Sequence, residues 1–169
     1  MFERDYQLKG KHAIYAKYLR DTAKVFKRHI DIYMNGAVMG FLHGRQVPEE
    51  KTDKEDVSIL ADVFIREKTK CQFIYRMVML LDETSGLSLE QRADRAFRND
   101  ADEEAMVKNM DLFHSYMRGG IEYLHEKFSE ECTTPEDYID KIYEIVDRFN
   151  QDIKSNSYDE SIQRILANS

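Results

Sequence analysis

Apolar side chains recur every three or four residues along four long segments of this chain, and this spacing places them on one face of an α-helix. Only two of the 169 residues are proline, so little in the sequence would interrupt such helices. We therefore predict an all-α fold, a helical bundle of four long helices with a short connecting helix and an N-terminal helical extension. The four segments cover roughly residues 26–44, 53–81, 100–128 and 135–153.

Local signals define where these helices begin and end. Gly44 is a C-terminal stop, Thr52 or Asp53 an N-cap, and Thr134 an N-cap that is followed by Pro135 in the first helical turn. Ser88 and Gln91 form a capping box that opens the short helix.

The length of 169 residues fits one domain. We predict a single helical domain at 1–155 and a flexible or weakly helical tail at 156–169.

The stretch YMNGAVMGFLHGR, residues 33–45, is one of the most apolar in the chain. A membrane-spanning helix needs about 20 consecutive apolar residues, so this run is too short. A phosphate-binding loop would end in Gly-Lys-Ser/Thr, whereas Gly44 is followed by Arg45 and Gln46. The stretch therefore predicts a buried helix, in which Gly36 and Gly40 let a neighbouring helix approach closely.

Composition favours a cytoplasmic protein without membrane association. Cys71 and Cys132 lie in or beside helical apolar patterns and have no CxxC pairing, which indicates reduced core thiols. The N-terminal MFERDYQLKGK is charged and is not followed by the apolar run of a signal peptide.

Two Asp/Glu-x-x-His units raise the alternative of a metal-binding helical bundle. They are Asp111 with His114 and Glu122 with His125. Di-metal bundles take such units from different helices, but these two lie on one helix about 16 Å apart. The competing interpretation is that both histidines make hydrogen bonds at the edge of the bundle. The sequence contains no nucleophile or metalloprotease motif, so we predict a non-enzymatic protein without a cofactor.

Positive charge is concentrated at the N-terminus of an acidic chain. Residues 1–30 contain eight basic and three acidic residues, a net charge of +5, whereas the whole chain carries −7 and the remainder therefore −12. Basic residues interleaved with aromatic ones predict a nucleic-acid-binding segment. Equally, these residues could neutralise an acidic bundle, in this chain or in a partner. The candidates are Lys9, Lys11, Lys17, Arg20, Lys24, Lys27 and Arg28.

The runs HIDIYMNGAVMGFLHGR and FIYRMVMLLDE, within residues 26–83, resemble small helical accessory proteins of bacterial DNA-modification and phage-defence systems, including DNA phosphorothioation. This resemblance implies a non-enzymatic subunit that binds DNA or a larger effector protein. As an interaction subunit, the chain would dock a protein partner or a second copy through exposed methionines, with Met77, Met79 and Met117 as candidates. As a nucleic-acid binder, it would use the basic N-terminal residues.

Overall fold

The computed structural model describes residues 1–50, 54–98, 102–130 and 132–155. The chain forms two compact units, one spanning Met1–Ser129 and a second that begins at Glu130. The tail predicted at 156–169 and the predicted N-cap at Thr52 or Asp53 lie outside the described residues.

The first unit is predominantly helical and also contains a two-stranded antiparallel sheet. Its elements, in chain order, are β1 (Tyr6–Lys9), α1 (Gly10–Lys17) with a π-helical continuation (Tyr18–Thr22), α2 (His29–Leu42), β2 (Asp56–Ile59), α3 (Ala61–Arg66), α4 (Lys68–Leu81), α5 (Leu89–Phe97) and α6 (Glu103–Ser129). The second unit contains α7 (Pro135–Ser155). The predicted helical class is therefore confirmed in its main features.

The small sheet corrects two of the predicted helices. β1 pairs with β2 so that Tyr6 lies opposite Ile59 and Lys9 opposite Asp56. In β2 the buried side chains alternate with exposed ones, a period of two that belongs to a strand. The helical spacing that predicted one helix from Asp53 to Leu81 is thus realised only from Ala61 onward, as α3 and α4. The N-terminal extension is likewise helical only from Gly10.

Close contact between α2 and α6 is made possible by glycine, as predicted. A Cβ atom at Gly40 would overlap the backbone carbonyl of Tyr116, and one at Gly36 would lie 2.8 Å from the carbonyl oxygen of Met117. Gly120 of α6 lies in the same way against the backbone of Gly36. The two backbones therefore touch where larger side chains would hold them apart.

Three of the predicted helix ends are confirmed. Gly44 has a φ of +59° just after α2, a conformation that glycine adopts without strain. The capping box of Ser88 and Gln91 opens α5, and α7 begins at Pro135 with Thr134 Oγ1 accepting a hydrogen bond from the Asp137 amide. Cys71 and Cys132 are both buried thiols.

An aromatic cluster forms the core beside the N-terminus. Tyr33 of α2 lies edge-on to Phe64 of α3 with ring centroids 5.1 Å apart, and Phe113 of α6 lies 5.7 Å from Tyr75 of α4. Phe2 packs against all four of these rings, at 5.9 to 6.5 Å. The N-terminal segment is therefore fixed on the helices by aromatic packing.

Candidate interaction surfaces

Four of the seven basic N-terminal candidates are paired with carboxylates of the same chain. Lys17 Nζ lies 2.5 Å from Glu55, and Lys11 Nζ lies 2.7 Å from Glu122. Arg20 pairs with Asp21 at 2.7 Å, and Arg28 pairs with both Asp31 and Glu67. These cations are partly exposed, so each pair contributes at most about 1 kcal/mol, but it holds the cation away from an external phosphate.

The other three candidates differ in their surroundings. Lys9 is half-buried in β1. Lys24 and Lys27 are exposed in the turn before α2 and have no carboxylate partner within the described part of the chain. Of the seven candidates, these two lysines are therefore the ones that are exposed and lack a carboxylate partner in the described part of the chain.

Glu122 of α6 is buried and is the centre of a charged cluster. It lies 3.1 Å from His12 Nε2, 2.7 Å from Lys11 Nζ and 3.2 Å from Arg45. Burial raises the pKa of Glu122, but the hydrogen bond and charge of Lys11 and the charges of His12 and Arg45 outweigh burial and lower it overall. Arg45 also binds Glu126 through two hydrogen bonds. The cluster thus connects α1, the loop after α2, and α6.

His12 is almost fully buried, and burial lowers its pKa despite the adjacent Glu122 carboxylate. An imidazole without solvent access can hold the helices together through its hydrogen bond. It cannot contact an external substrate.

A second polar group surrounds His114. Its Nε2 atom lies 2.9 Å from the Tyr33 hydroxyl, and the Tyr6 ring lies over its imidazole at 4.3 Å. Burial and then the charge of Arg118 lower the pKa of His114 to about 3. Arg118 itself donates to the carbonyl of Val47 and to the Tyr6 hydroxyl. Of the two histidines predicted to make hydrogen bonds at the edge of the bundle, His114 bonds to Tyr33, whereas His125 is stacked on Tyr15.

The four metal candidates have separate surroundings. His125 is stacked on Tyr15 with ring centroids 3.8 Å apart, and Asp111 is exposed. His114 is bonded to Tyr33, and Glu122 is engaged with three basic groups. Over the residues that the structure describes, no group of three or more His, Cys, Asp or Glu side chains could hold a metal ion.

Two of the three methionines proposed as a docking surface are buried. Met79 and Met117 have no solvent exposure, and Met77 is only partly exposed. The prediction was wrong for Met79 and Met117 because a methionine at helical spacing can lie on either side of an apolar stripe. Sequence reasoning did not single out Phe73, whose side chain is 68% exposed on α4. Its place on the outer side of that helix depends on where α2 and α6 pack.

Beside Phe73 lies an apolar groove between α2 and α4, with a volume of about 590 Å³. Its apolar lining consists of Met34, Val38, Phe73 and Ile74, and its polar residues are Asn35, Thr69 and Lys70. We call it the α2/α4 groove. A groove of this size can accept one or two side chains of a partner.

A second cleft of about 550 Å³ opens beside the N-terminus. Its floor contains Phe2, Tyr6, Tyr33 and Phe64, and His114 also lines it. Four carboxylates line the cleft: Glu3, Asp5, Glu103 and Asp111. Glu3 is bound to Lys68, and Asp5 accepts a hydrogen bond from the Ala61 amide, so two of these carboxylates already have partners.

No helix in the described ranges is long and apolar enough to cross a membrane. The apolar stretch that begins at Tyr33 belongs to α2, a helix of 14 residues.

The described residues thus define a small, predominantly helical protein in which four of the seven candidate cations form ion pairs within the chain. A family model matches residues 9–164, and the chain belongs to the family described as DNA sulphur modification system-associated protein 4. This finding confirms the resemblance to phosphorothioation-type accessory proteins and extends it to most of the chain. Comparisons with curated proteins and with solved structures give no significant match.

Proposed function

We propose that the chain is a non-enzymatic accessory subunit of a DNA sulphur modification system and that it docks a protein partner through the α2/α4 groove. The family supports the association with the modification system. The observation that carries the docking surface is the exposed Phe73 beside an apolar groove.

Burial of Phe73 would remove a large apolar surface from water. An aromatic side chain buries 150–250 Å² when it is covered, so an exposed Phe is a strong source of binding free energy at an interface. The surrounding groove supplies the apolar walls that such an anchor needs, through Met34, Val38 and Ile74. Lys70 at its edge is already paired with Glu67, so docking there does not require an unpaired charge to be buried.

Replacement of Phe73 by alanine tests this docking surface. We expect Phe73→Ala to lose co-purification with the other proteins of the modification system while its melting temperature stays close to wild type, because the side chain is mostly outside the core. Leu89→Ala is the matched control, since Leu89 is equally exposed but lies on α5. Equal retention of the partner by both variants would contradict the proposed surface.

Nucleic-acid binding through the basic N-terminal segment is the second candidate function. The observation that favours it is the exposure of Lys24 and Lys27, which have no carboxylate partner in the described part of the chain. Two cations provide a small electrostatic attraction to phosphates compared with the seven that the sequence offers. The phosphate contacts would therefore come from Lys24 and Lys27. The other cations could contribute only if their ion pairs with carboxylates of the chain were broken; these are Lys11, Lys17, Arg20 and Arg28.

A further inference from the structure

The second unit presents an exposed apolar seam along α7. Ile139, Ile142, Val146 and Phe149 follow one another at spacings of three, four and three residues, and their exposed fractions are 53%, 37%, 50% and 40%. Ile153 continues the same spacing in the sequence. These are the a and d positions of a heptad repeat, in which β-branched residues occupy every a position.

The central residues beside the seam are uncharged, whereas Glu136 at an e position and Asp152 at a g position, near the two ends of α7, are acidic. The e and g positions between residues 138 and 151 are occupied by Tyr138, Tyr143, Ile145 and Asn150. At these four positions a charged partner helix would therefore find no opposite charge to pair with, and a second copy of α7 would meet no charge repulsion.

Three charged side chains of α7 outside the seam bind one another. Glu144 is 2.7 Å from Lys141 and 3.1 Å from Arg148. These ion pairs offset the charge of Glu144, and Asp140 and Asp147 occupy b positions away from the seam.

Charge along the helix also differs between its two halves. Residues 135–145 contain four acidic residues and one basic residue, a net charge of −3, whereas residues 146–155 contain two of each and are neutral. In a parallel pair the two acidic halves would lie side by side and repel each other, and so would the two N-terminal ends, which carry the positive end of each helix dipole. Antiparallel copies place each acidic half beside the half that contains Arg148 and Lys154, and they also oppose the helix dipoles.

We propose that α7 forms an antiparallel coiled coil with α7 of a second copy of this chain. In this arrangement an a residue faces a d residue, so Ile139 packs against Phe149 of the second copy and Ile142 against Val146. The midpoint of both pairs falls at residue 144, next to residue 145 at the centre of Pro135–Ser155. The two helices therefore overlap over nearly their full length, about 31 Å. This pairing is independent of the α2/α4 groove.

Light scattering of the full-length chain across a concentration series tests the pairing. We expect a mass that approaches twice the 20.0 kDa of one chain. Val146→Glu places a carboxylate in the seam and should raise the dimer Kd by more than about tenfold. Gln151→Glu adds the same charge on the outer face and should leave the Kd unchanged. Circular dichroism verifies that both variants remain helical, and Ile139→Glu provides a second seam variant.

Cysteine crosslinking determines the orientation of the two helices. A mixture of Ile139→Cys and Phe149→Cys proteins should form disulfide-linked dimers, whereas Ile139→Cys alone should not. A monomeric wild type at several hundred μM, a range far above the Kd of stable interfaces, would overturn the proposal, as would a dimer that Val146→Glu does not weaken. Crosslinking of Ile139→Cys with itself would overturn the antiparallel arrangement.

Discussion

At the scale of single residues, the most constrained charged pair is Asp82 with Arg95. Asp82 ends α4 and is buried, and it accepts hydrogen bonds from the Tyr116 hydroxyl at 2.7 Å and from Thr84 Oγ1 at 2.6 Å. Arg95 of α5 lies 3.2 Å from the same carboxylate and also donates to the carbonyl of Met79. Burial raises the pKa of Asp82, but these hydrogen bonds and the charge of Arg95 lower it to about 2.

Asp82→Ala should therefore destabilise the protein by about 3 to 5 kcal/mol, because it leaves the buried Arg95 guanidinium without its carboxylate. Urea unfolding measures the difference. Glu83→Gln is the control at the next position, since its carboxylate is exposed and pairs with Arg92 only at the surface. A small effect of Asp82→Ala, similar to that of Glu83→Gln, would show that α5 does not depend on this pair.

His114 predicts a pH dependence of stability. Its pKa is about 3 in the folded protein and about 6.5 when unfolded, so the unfolded state binds the proton first. Its contribution is complete above pH 6.5 and is lost as the pH falls toward 3. At pH 5 the loss should be about 2 kcal/mol. We expect the free energy of unfolding of wild type to fall more between pH 7 and pH 5 than that of His114→Gln. Equal slopes would contradict this origin.

At the scale of elements, the crossing of α2 and α6 depends on small residues in both helices. Gly36 and Gly40 lie against Met117, Tyr116 and Gly120 without side chains between the two backbones. Their spacing of four places both glycines on one helical face, which is why the sequence alone predicted a close approach. The identity of the opposing helix came only from the structure.

Gly40→Ala should destabilise the protein by about 1 to 3 kcal/mol or more, because the new Cβ atom would meet the backbone of α6, which cannot rotate away as a side chain can. Asn35→Ala is the control on the exposed side of the same helix and should change stability by less than about 1 kcal/mol. Thermal unfolding compares the two variants. An unchanged melting temperature for Gly40→Ala would mean that α2 and α6 can separate without cost.

At the scale of the whole molecule, the function depends on which cations are accessible. If Lys24 and Lys27 contact phosphates, their joint replacement by Gln should weaken binding to duplex DNA and lower the slope of log K against log salt by about 2. The fold should be unaffected because both side chains are exposed and lack carboxylate partners in the described part of the chain. Gel-shift titrations between about 50 and 200 mM salt measure this effect.

Lys17→Gln is the matched control, since Lys17 is paired with Glu55 and should contribute little to phosphate binding. If wild type fails to bind any duplex or single strand at about 50 mM salt, the nucleic-acid proposal is wrong. Protein docking would then be the remaining function.

The sequence by itself determined the features that depend on neighbours along the chain. These are the helical class, the ends of α2, α5 and α7 at Gly44, Ser88 and Pro135, and the resemblance to the family. Capping and helical periodicity act within a few residues, so they can be recognised without a fold.

Only the tertiary structure decided what depends on residues distant in sequence. The pairing of Val57 and Ile59 with β1 outweighed a helical pattern that continued into α3, because strand formation needs a partner about 50 residues away. The burial of Met79 and the exposure of Phe73, six residues earlier on the same helix, were fixed by the packing of that helix against its neighbours. Ion pairs such as Lys11 with Glu122 likewise join residues more than 100 positions apart, and for this reason charge composition could not show which lysines remain accessible.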